Sequence, residues 1–177
     1  MFWEYKGKRL EVVQGDIASQ QDIDAVVNAA NARLETGGGV AGALHCGAGP
    51  ELTEAGRKYA PLAPGEAVIT PAFQLPNNKV IHCLGPVYGQ DTPEDELLKS
   101  CYEKTLHLGE KEKQGSIAFP AISTGVFGFP FEEALDLAVD TVLEVLPELE
   151  HVEFIRFVLF SSKEAEAYRK ALEKKLK

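Results

Sequence analysis

Short apolar, β-branched runs alternate with amphipathic segments along the whole chain. Seven of these runs have the composition and length of strands: residues 2–6, 9–14, 25–28, 66–70, 79–84, 116–119 and 154–160. Apolar residues recur at helical spacing over residues 98–105, 135–146 and 165–176, and a further helix is predicted over residues 40–48. This alternation predicts an α/β domain whose mainly parallel sheet carries helices on both faces.

The strand predicted over residues 25–28 ends in carboxamides and is followed by a glycine triplet. Asn28 and Asn31 flank two alanines, and residues 37–39 are all glycine, just before the helix predicted from Val40. Glycines at the start of a helix let backbone N–H groups approach an anion closely. Carboxamides supply neutral donors and acceptors for sugar hydroxyls. The segment therefore indicates part of a pocket for a phosphorylated sugar or a nucleotide.

A second glycine loop follows the strand predicted over residues 116–119. Ser123, Thr124 and Gly125 precede Pro130, which suits the first position of a helix, and two glutamates follow in its first turn. Ligands of mainly parallel sheets bind at the carboxyl ends of strands, where both loops lie. Two such loops can hold a diphosphate between them. The alternative is that both are ordinary strand-to-helix turns.

The charge balance limits the partners of the chain. The chain has 177 residues and is expected to form one domain over residues 1–177. It contains 18 Lys and Arg residues and 27 Asp and Glu residues, which gives a net charge of −9. Such a balance opposes non-specific nucleic-acid binding. Apart from His45, the only basic side chain between residues 28 and 49 is Arg33, and residues 119–131 contain none. Backbone N–H groups and helix dipoles are therefore expected to hold the phosphates.

Other features of the sequence argue against a membrane protein, a disulfide framework or a metal site. No apolar run reaches the length of a membrane span, and the N-terminal residues do not resemble a signal peptide, so we expect a cytoplasmic protein without a membrane partner. Cys46, Cys83 and Cys101 are odd in number and lack metal-ligand spacing. We expect His82 to lie in the core and His45 to pack locally on its helix, with no metal ion and no cofactor.

The first glycine loop also matches the dinucleotide-binding pattern G-x-G-x-x-G, over residues 37–42. In that class of fold the glycines follow the strand directly, and an acidic residue ends the next strand. Here eight residues separate Asn28 from Gly37, and the acidic residues Glu51 and Glu54 follow no apolar strand. A hydride-transfer enzyme is therefore a minor alternative.

The motifs taken together, in their order along the chain, resemble the macrodomain family. They cover nearly the whole chain: Gly15-Asp16-Ile17, Asn28-Ala29-Ala30-Asn31, Gly37-Gly38-Gly39-Val40, His82-Cys83-Leu84-Gly85-Pro86 and Pro120-Ala121-Ile122-Ser123-Thr124-Gly125-Val126-Phe127-Gly128. The resemblance implies a three-layer α/β/α sandwich that binds ADP-ribose.

The resemblance also implies roles for individual residues at the adenine end. Asp16, next to Ile17, would accept a hydrogen bond from the adenine amino group, and Phe160 would stack on the base. The alternative for Asp16 is a helix N-cap, and the alternative for Phe160 is a core strand residue. The remaining ADP-ribose-binding residues implied by the family are Asn28, Asn31, Gly37, Gly38, Gly39, Val40, Ser123, Thr124, Gly125, Val126 and Phe127.

For the chemistry, the resemblance points to Asn31 and Gly39. The Asn31 carboxamide would orient the distal ribose, so that a water held by a substrate phosphate oxygen attacks without a strong protein base. Asn28 is interpreted as mainly structural. Many hydrolases of the family have an aspartate after Gly-Gly-Gly-Val, where this chain has Ala41.

The resemblance therefore predicts an ADP-ribosyl hydrolase that acts on mono-ADP-ribosylated protein or on O-acetyl-ADP-ribose. Two alternatives stay open. One is a reader module that binds ADP-ribose or ADP-ribosylated protein without turnover, which the absence of the aspartate favours. The other is a binder of a different phosphorylated ligand, such as poly(A) or a nucleotide phosphate.

Overall fold

The computed structural model describes residues 2–176 and contains a seven-stranded mixed sheet. The strands are β1 (Phe2–Tyr5), β2 (Lys8–Gln14), β3 (Ala25–Ala29), β4 (Ala67–Pro71), β5 (Lys79–Cys83), β6 (Ser116–Phe119) and β7 (Phe154–Leu159). All seven strands expected from the hydrophobic pattern are present, and each strand end lies within one residue of the predicted position. The largest consequence is at β7, which stops at Leu159 and leaves Phe160 outside the strand.

The order of the strands across the sheet is β1-β2-β7-β6-β3-β5-β4. The five inner strands are parallel to their neighbours, and only the two outer strands, β1 and β4, run antiparallel. β1 and β2 are joined by a tight hairpin in which Lys6 and Gly7 both have positive φ angles, of 50° and 82°. The expectation of a mainly parallel sheet is confirmed.

Five helices cover the sheet: α1 (Gly39–Ala48), α2 (Glu51–Arg57), α3 (Glu94–Lys111), α4 (Phe131–Val145) and α5 (Ser162–Lys175). α4 begins one residue later than the sequence indicated, so that Pro130 is its N-cap residue. α2 was not predicted, because its seven residues are too few to show a helical hydrophobic period. Two short 3-10 helices, Ile17–Ser19 and Leu146–Glu148, complete the set.

The two faces of the sheet have separate hydrophobic cores. On one face, buried side chains of α3, α4 and α5, among them Leu106, Val139 and Tyr168, pack against the sheet. On the other face, Leu44 of α1 and Leu52 of α2 pack against β3, β5, β6 and β7. This arrangement is the three-layer α/β/α sandwich that the family resemblance implied.

The parallel inner strands determine where loops can gather. Because β2, β7, β6, β3 and β5 all point the same way, their carboxyl ends meet along one edge of the sheet. The loops after β3 and β6, which contain the two glycine segments, leave adjacent strands at this edge. Within residues 2–176, no helix is long and apolar enough to cross a membrane.

Candidate functional site

An open cleft runs along the carboxyl edge of the parallel strands. It consists of two adjoining cavities of about 440 and 490 Å³ that share five lining residues: Gly39, Val40, Pro120, Val158 and Phe160. The first cavity lies between the two glycine loops, and the second extends to residues 14–17 at the end of β2. The sequence motifs that are far apart in the chain therefore line one continuous cleft.

The first loop presents free backbone N–H groups at the start of α1. Within residues 2–176, the amides of residues 37–41 donate no hydrogen bond, and the first intrahelical donor is Gly42 N, 3.3 Å from Gly38 O. The tight entry requires Gly42, since a Cβ atom there would lie 2.4 Å from the Gly37 carbonyl oxygen. An α-helix N-terminus of this kind attracts anions through its unpaired N–H groups and its dipole.

The second loop faces the first across the cleft and is also rich in unpaired amides. Residues 123–127 all line the first cavity, and none of their amides donates a hydrogen bond within the described residues 2–176. Ser123 has a φ of 67°, and its carbonyl accepts from Phe129 N at 2.9 Å, while Gly125 O accepts from Gly128 N at 3.0 Å. The loop is thus held through its carbonyl oxygens, which leaves its N–H groups for a ligand.

The cleft contains no positively charged side chain among the described residues. Its lining is made of glycines, small and aliphatic residues, Gln14, Phe127 and Phe160, with Asp16 and Glu164 as the acidic members. A phosphorylated ligand here must be neutralised by peptide N–H groups rather than by Lys or Arg, as the sequence indicated.

Asp16 lies at the far end of the cleft and does act as an N-cap. Its Oδ1 accepts a hydrogen bond from Ala18 N at 2.9 Å, at the start of the 3-10 helix Ile17–Ser19. Ile17 is buried beneath it, whereas Asp16 is exposed and lines the second cavity. The cap uses one carboxylate oxygen and leaves the other for a ligand, so the capping and ligand-binding roles are compatible.

Phe160 is an exposed aromatic residue at the boundary of the two cavities. Its side chain is 90% exposed, and it lines both of them. The alternative of a core strand residue is therefore wrong, because β7 ends at Leu159. An aromatic face held in solvent beside a carboxylate is a suitable stacking platform for a purine.

The Asn31 carboxamide is engaged with its own loop. Its Nδ2 donates to Glu35 O at 2.8 Å, and its Oδ1 accepts from Glu35 N at 3.0 Å. Asn31 is half-buried under the first glycine loop, since a Cβ atom on Gly37 would lie 3.4 Å from its Nδ2. Each end of the carboxamide retains one unused hydrogen-bonding position. Asn31 is thus fixed in orientation beside the first glycine loop, and neither Asn31 nor Gly37 lines the two cavities.

Asn28 lies in the interior of the fold, below the cleft. It is fully buried, and its Nδ2 lies 3.0 Å from Nδ1 of His82 on the neighbouring strand β5. The other ring nitrogen, Nε2, is 3.0 Å from Thr70 Oγ1, whose hydroxyl donates to Pro71 O. Burial lowers the pKa of His82 to about 3, so this network stays uncharged. Asn28 lines neither cavity; its buried side chain contacts the neighbouring strand rather than the cleft.

His45 packs inside the fold, as expected. It is buried in α1, and its Nδ1 lies 3.1 Å from Thr53 Oγ1 of α2. Burial lowers the pKa of this histidine, so it is neutral at physiological pH. The thiols of Cys83 and Cys101 are buried, and Cys46 is exposed. Within residues 2–176 no three His, Cys, Asp or Glu side chains are placed to share a metal ion.

The structure adds cleft residues that sequence reasoning did not single out. Gly85 follows β5 and contacts the second loop so closely that a Cβ atom there would collide with Ser123. Glu164, in the first turn of α5, lines the cleft near Phe160. Gly85 lies within one of the segments that resemble the macrodomain family. Nothing in the sequence indicates that Glu164 shares a cavity with residues 29–40, which lie more than 120 positions before it.

Comparison with known proteins identifies the family. The family model of the Macro domain matches residues 27–138, more than half of the chain. The chain belongs to the macrodomain family. Among relatives of this macrodomain, an O-acetyl-ADP-ribose deacetylase from Salmonella newport is 45% identical over 169 residues, which cover 93% of this chain and 94% of that protein. A Macro domain-containing protein of Methanosarcina mazei is 45% identical over 94% of this chain and 89% of its own length.

Solved structures agree with this assignment. The macrodomain of Oceanobacillus iheyensis, determined with ADP, superposes with a TM-score of 0.94 at 39% identity, covering 99% of this chain and 96% of that one. The Trypanosoma brucei macrodomain in complex with ADP-ribose gives a TM-score of 0.85 at 35% identity, covering 92% of this chain and 68% of that one. The order of strands and the helical layers therefore belong to a macrodomain fold.

Proposed function

We propose that this macrodomain binds ADP-ribose in the cleft and hydrolyses ADP-ribosyl esters. The observation that carries the proposal is the pair of glycine loops on adjacent parallel strands, whose amides over residues 37–41 and 123–127 have no partner within residues 2–176. Two facing sets of N–H groups fit a diphosphate. The name of the relative from Salmonella newport, O-acetyl-ADP-ribose deacetylase, supports the choice of a hydrolase.

The two cavities divide the ligand between them. Adenine lies in the second cavity, where it stacks on Phe160 and its amino group donates a hydrogen bond to the Asp16 carboxylate. The diphosphate lies between the amides of the two loops, and the distal ribose lies against Gly39, Val40 and Phe127. The distal ribose then lies in the first cavity, which is lined by Ala29 and Ala30, just before Asn31 in the chain.

The chemistry takes place at the distal ribose. In a mono-ADP-ribosylated protein, water adds to the anomeric carbon as the carboxylate of the modified side chain leaves. In O-acetyl-ADP-ribose, water adds to the acetyl carbonyl carbon and the bond from that carbon to the ribose oxygen breaks. The ribose hydroxyl is the leaving group and takes a proton from the water, and acetate is the other product. Asn31, fixed by its two hydrogen bonds to Glu35, orients the ribose. Gly39 leaves room for the sugar at the loop, and a substrate phosphate oxygen holds the water. Orientation of this kind lowers the activation free energy by several kcal/mol.

Turnover of O-acetyl-ADP-ribose by the wild type and by Asn31→Ala tests the enzymatic part. We expect the rate of acetate release to fall roughly 100-fold in the variant, because orientation is lost. ADP-ribose binding, measured by calorimetry, should change much less than the rate. Thr36→Ala is the matched control, since it alters an exposed residue of the same loop to which we assign no role.

The same assay separates the alternatives. If the wild type binds ADP-ribose but releases no acetate and no ADP-ribose from modified protein at high enzyme concentration, the protein is a reader. Ala41 favours this second function, because it is a buried alanine in the first turn of α1 and offers no carboxylate to activate water.

Calorimetry with ADP-ribose, ADP and AMP tests the ligand. ADP-ribose should bind best, since only it extends from Asp16 to the distal end of the cleft, and equal affinities for all three would contradict the assignment. Asp16→Ala should weaken ADP-ribose binding by roughly 1–3 kcal/mol, the scale of losing a charged acceptor. An ADP-ribosylated protein as natural partner is part of this proposal, and the panel should include one.

A further inference from the structure

A buried arginine on β7 is connected by hydrogen bonds to the residue proposed to recognise adenine. Arg156 is only 8% exposed, and its Nη1 donates to Gln20 Oε1 at 2.9 Å. Gln20 is likewise 8% exposed, and its Nε2 donates to the main-chain carbonyl of Asp16 at 2.8 Å. Two hydrogen bonds therefore lead from the interior of the sheet to the adenine end of the cleft.

The guanidinium group itself is held rigidly. Asp22 accepts from it in a bidentate pair, with Nη1–Oδ1 and Nη2–Oδ2 distances of 2.7 Å each, and Glu11 Oε2 lies 3.4 Å from Nη2. The positive charge is therefore compensated within the fold and is not available to a phosphate. Charge-assisted bidentate pairs of this kind fix geometry as well as energy.

The chemistry of the two neighbours fixes the orientation of the Gln20 amide. A guanidinium group only donates and a carbonyl oxygen only accepts, so Oε1 must face Arg156 and Nε2 must face Asp16. No other side chain of this length offers one acceptor and one donor in that order. The main chain of Gln20 is held as well, because Asn77 Nδ2 donates to its carbonyl at 2.7 Å.

The Asp16 peptide group is what this chain of contacts controls. Its carbonyl accepts from Gln20 Nε2 and from Ser19 N at 3.0 Å, and the preceding Gly15 N donates to Leu159 O at 3.0 Å. A rotation of this peptide would turn the carboxylate away from the second cavity, which it lines together with Phe160. The direction of the carboxylate thus depends on two contacts: the hydrogen bond from Ala18 N to its Oδ1, and the bond from Gln20, which does not line the cleft, to the Asp16 carbonyl.

We infer that Gln20, held by Arg156, is a positioning residue that sets the selectivity of the cleft for adenine. It acts through the Asp16 carbonyl and touches no ligand. The inference rests on the proposed function, because it assumes that Asp16 accepts a hydrogen bond from the amino group of the base. Replacing Gln20 should therefore reduce discrimination at position 6 of the purine more than it reduces affinity for the remainder of the ligand.

Two ligands and two variants test this role. Calorimetry compares ADP-ribose with a counterpart whose base is unsubstituted purine, which lacks only the 6-amino group. Gln20→Glu keeps the acceptor for Arg156 but places a carboxylate oxygen against the Asp16 carbonyl. Gln20→Met keeps the length and removes both contacts. Asp22→Asn is the matched control, since it weakens the ion pair of Arg156 and leaves both hydrogen bonds of Gln20 in place.

The wild type should prefer ADP-ribose over the purine counterpart by about tenfold, the scale of one hydrogen bond to a charged group. Both Gln20 variants should bind the two ligands with nearly equal affinity, while their affinity for the purine counterpart stays close to that of the wild type. Asp22→Asn should lower the melting temperature and keep the wild-type preference. This pattern would establish the positioning role.

Other outcomes overturn the inference in distinguishable ways. If the wild type itself binds both ligands equally, the role of Asp16 in the proposed function fails, and the inference fails with it. If the variants keep the wild-type preference, or lose both ligands to the same extent, Gln20 has no role in selectivity and the proposed function is unaffected.

A measurement on the wild type covers the case in which neither variant folds. The side-chain amide resonances of Gln20 should shift when ADP-ribose binds and shift less with the purine counterpart, because its Nε2 is bonded to the residue that contacts the amino group. Identical shifts with both ligands would contradict the inference.

Discussion

The two edges of the parallel sheet treat their main-chain N–H groups in opposite ways. At the edge where the strands begin, side chains of the protein satisfy them: the Glu110 carboxylate accepts from the amides of Glu150, His151 and Val152 at 2.9–3.1 Å. At the same edge, Asp24 Oδ2 accepts from Gly115 N at 2.9 Å. At the carboxyl edge, the amides of residues 37–41 and 123–127 have no partner within residues 2–176.

The difference shows what the cleft lacks and a ligand can supply. Glu110 does at one edge what a phosphate would do at the other, which is to present oxygen atoms to several converging amides. Unpaired donors in a folded protein cost free energy unless water or a ligand satisfies them. Within residues 2–176 the carboxyl edge is thus open, with unpaired donors, and the opposite edge is filled by the protein's own carboxylates.

The strongest way to break the comparison is to fill the open edge with a side-chain carboxylate. Gly125→Asp places a negative charge among the amides of the second loop, where a Cβ atom meets nothing within 4 Å. We expect ADP-ribose affinity to fall roughly 100-fold, since the charge competes with and repels the diphosphate. Calorimetry measures the loss, and thermal unfolding should show no destabilisation.

Gly125→Asn is the control for this change. It has the same shape without the charge and should lose much less affinity. Equal losses in both variants would mean that the side chain blocks the cleft sterically, and the electrostatic argument would then fail.

The converse change removes the carboxylate that accepts from the amides at the opposite edge. Glu110→Gln replaces one carboxylate oxygen with an NH₂ group that faces amide donors, so the free energy of unfolding should fall by roughly 1–3 kcal/mol. Chemical denaturation measures it, with Glu112→Gln, an exposed glutamate at the end of the same helix, as control. ADP-ribose affinity should not change, because Glu110 lies at the far edge of the sheet.

The contribution of Glu110 should also depend on pH. Partial burial by itself would raise the pKa of this carboxyl, but hydrogen bonds from His151 and from the amides of Val152, His151 and Glu150 lower it to about 2. A lowered folded-state pKa means that the stabilisation is complete above the unfolded value of 4.5 and disappears as the pH falls towards 2. The stability difference between wild type and Glu110→Gln should shrink over this window. A difference that stays constant down to pH 2 would refute the explanation.

The smallest expected effect concerns salt. Since no Lys or Arg lines the cleft among the described residues, ADP-ribose binding should weaken by less than about threefold between 0.05 and 0.5 M NaCl. Calorimetry across this range checks it. A steep salt dependence would indicate that cationic side chains reach the ligand after all.

Much of the fold followed from local patterns. β3 and β6 were recognisable because buried parallel strands are short apolar runs, and the loops after them because glycines and carboxamides interrupt those runs. α2 was missed, since Glu51–Arg57 is too short to show a period and starts directly after Pro50. Phe160 fell in a strand-like run, and only the end of the β7 pairing at Leu159 leaves it exposed.

The supporting residues of the site were not predictable in the same way. Arg156 and Gln20 are 136 residues apart, and each is unremarkable in its own segment. Their contact depends on the parallel pairing of β2 with β7, because Gln20 follows the short 3-10 helix after β2 and Arg156 lies on β7. The two hydrogen bonds of Asn31 to Glu35 are short-range, but they depend on the exact path of the turn rather than on residue type.

The unpaired peptide groups of the glycine loops have a consequence for inhibition of this protein. Among the described residues that line the cleft, reagents that modify lysine or arginine find no target, and a competing molecule gains affinity from negative charge only where that charge meets the peptide groups. Its acceptor atoms must match the spacing of the peptide groups, so a rigid, uncharged scaffold with well-placed oxygens can compete with the natural diphosphate.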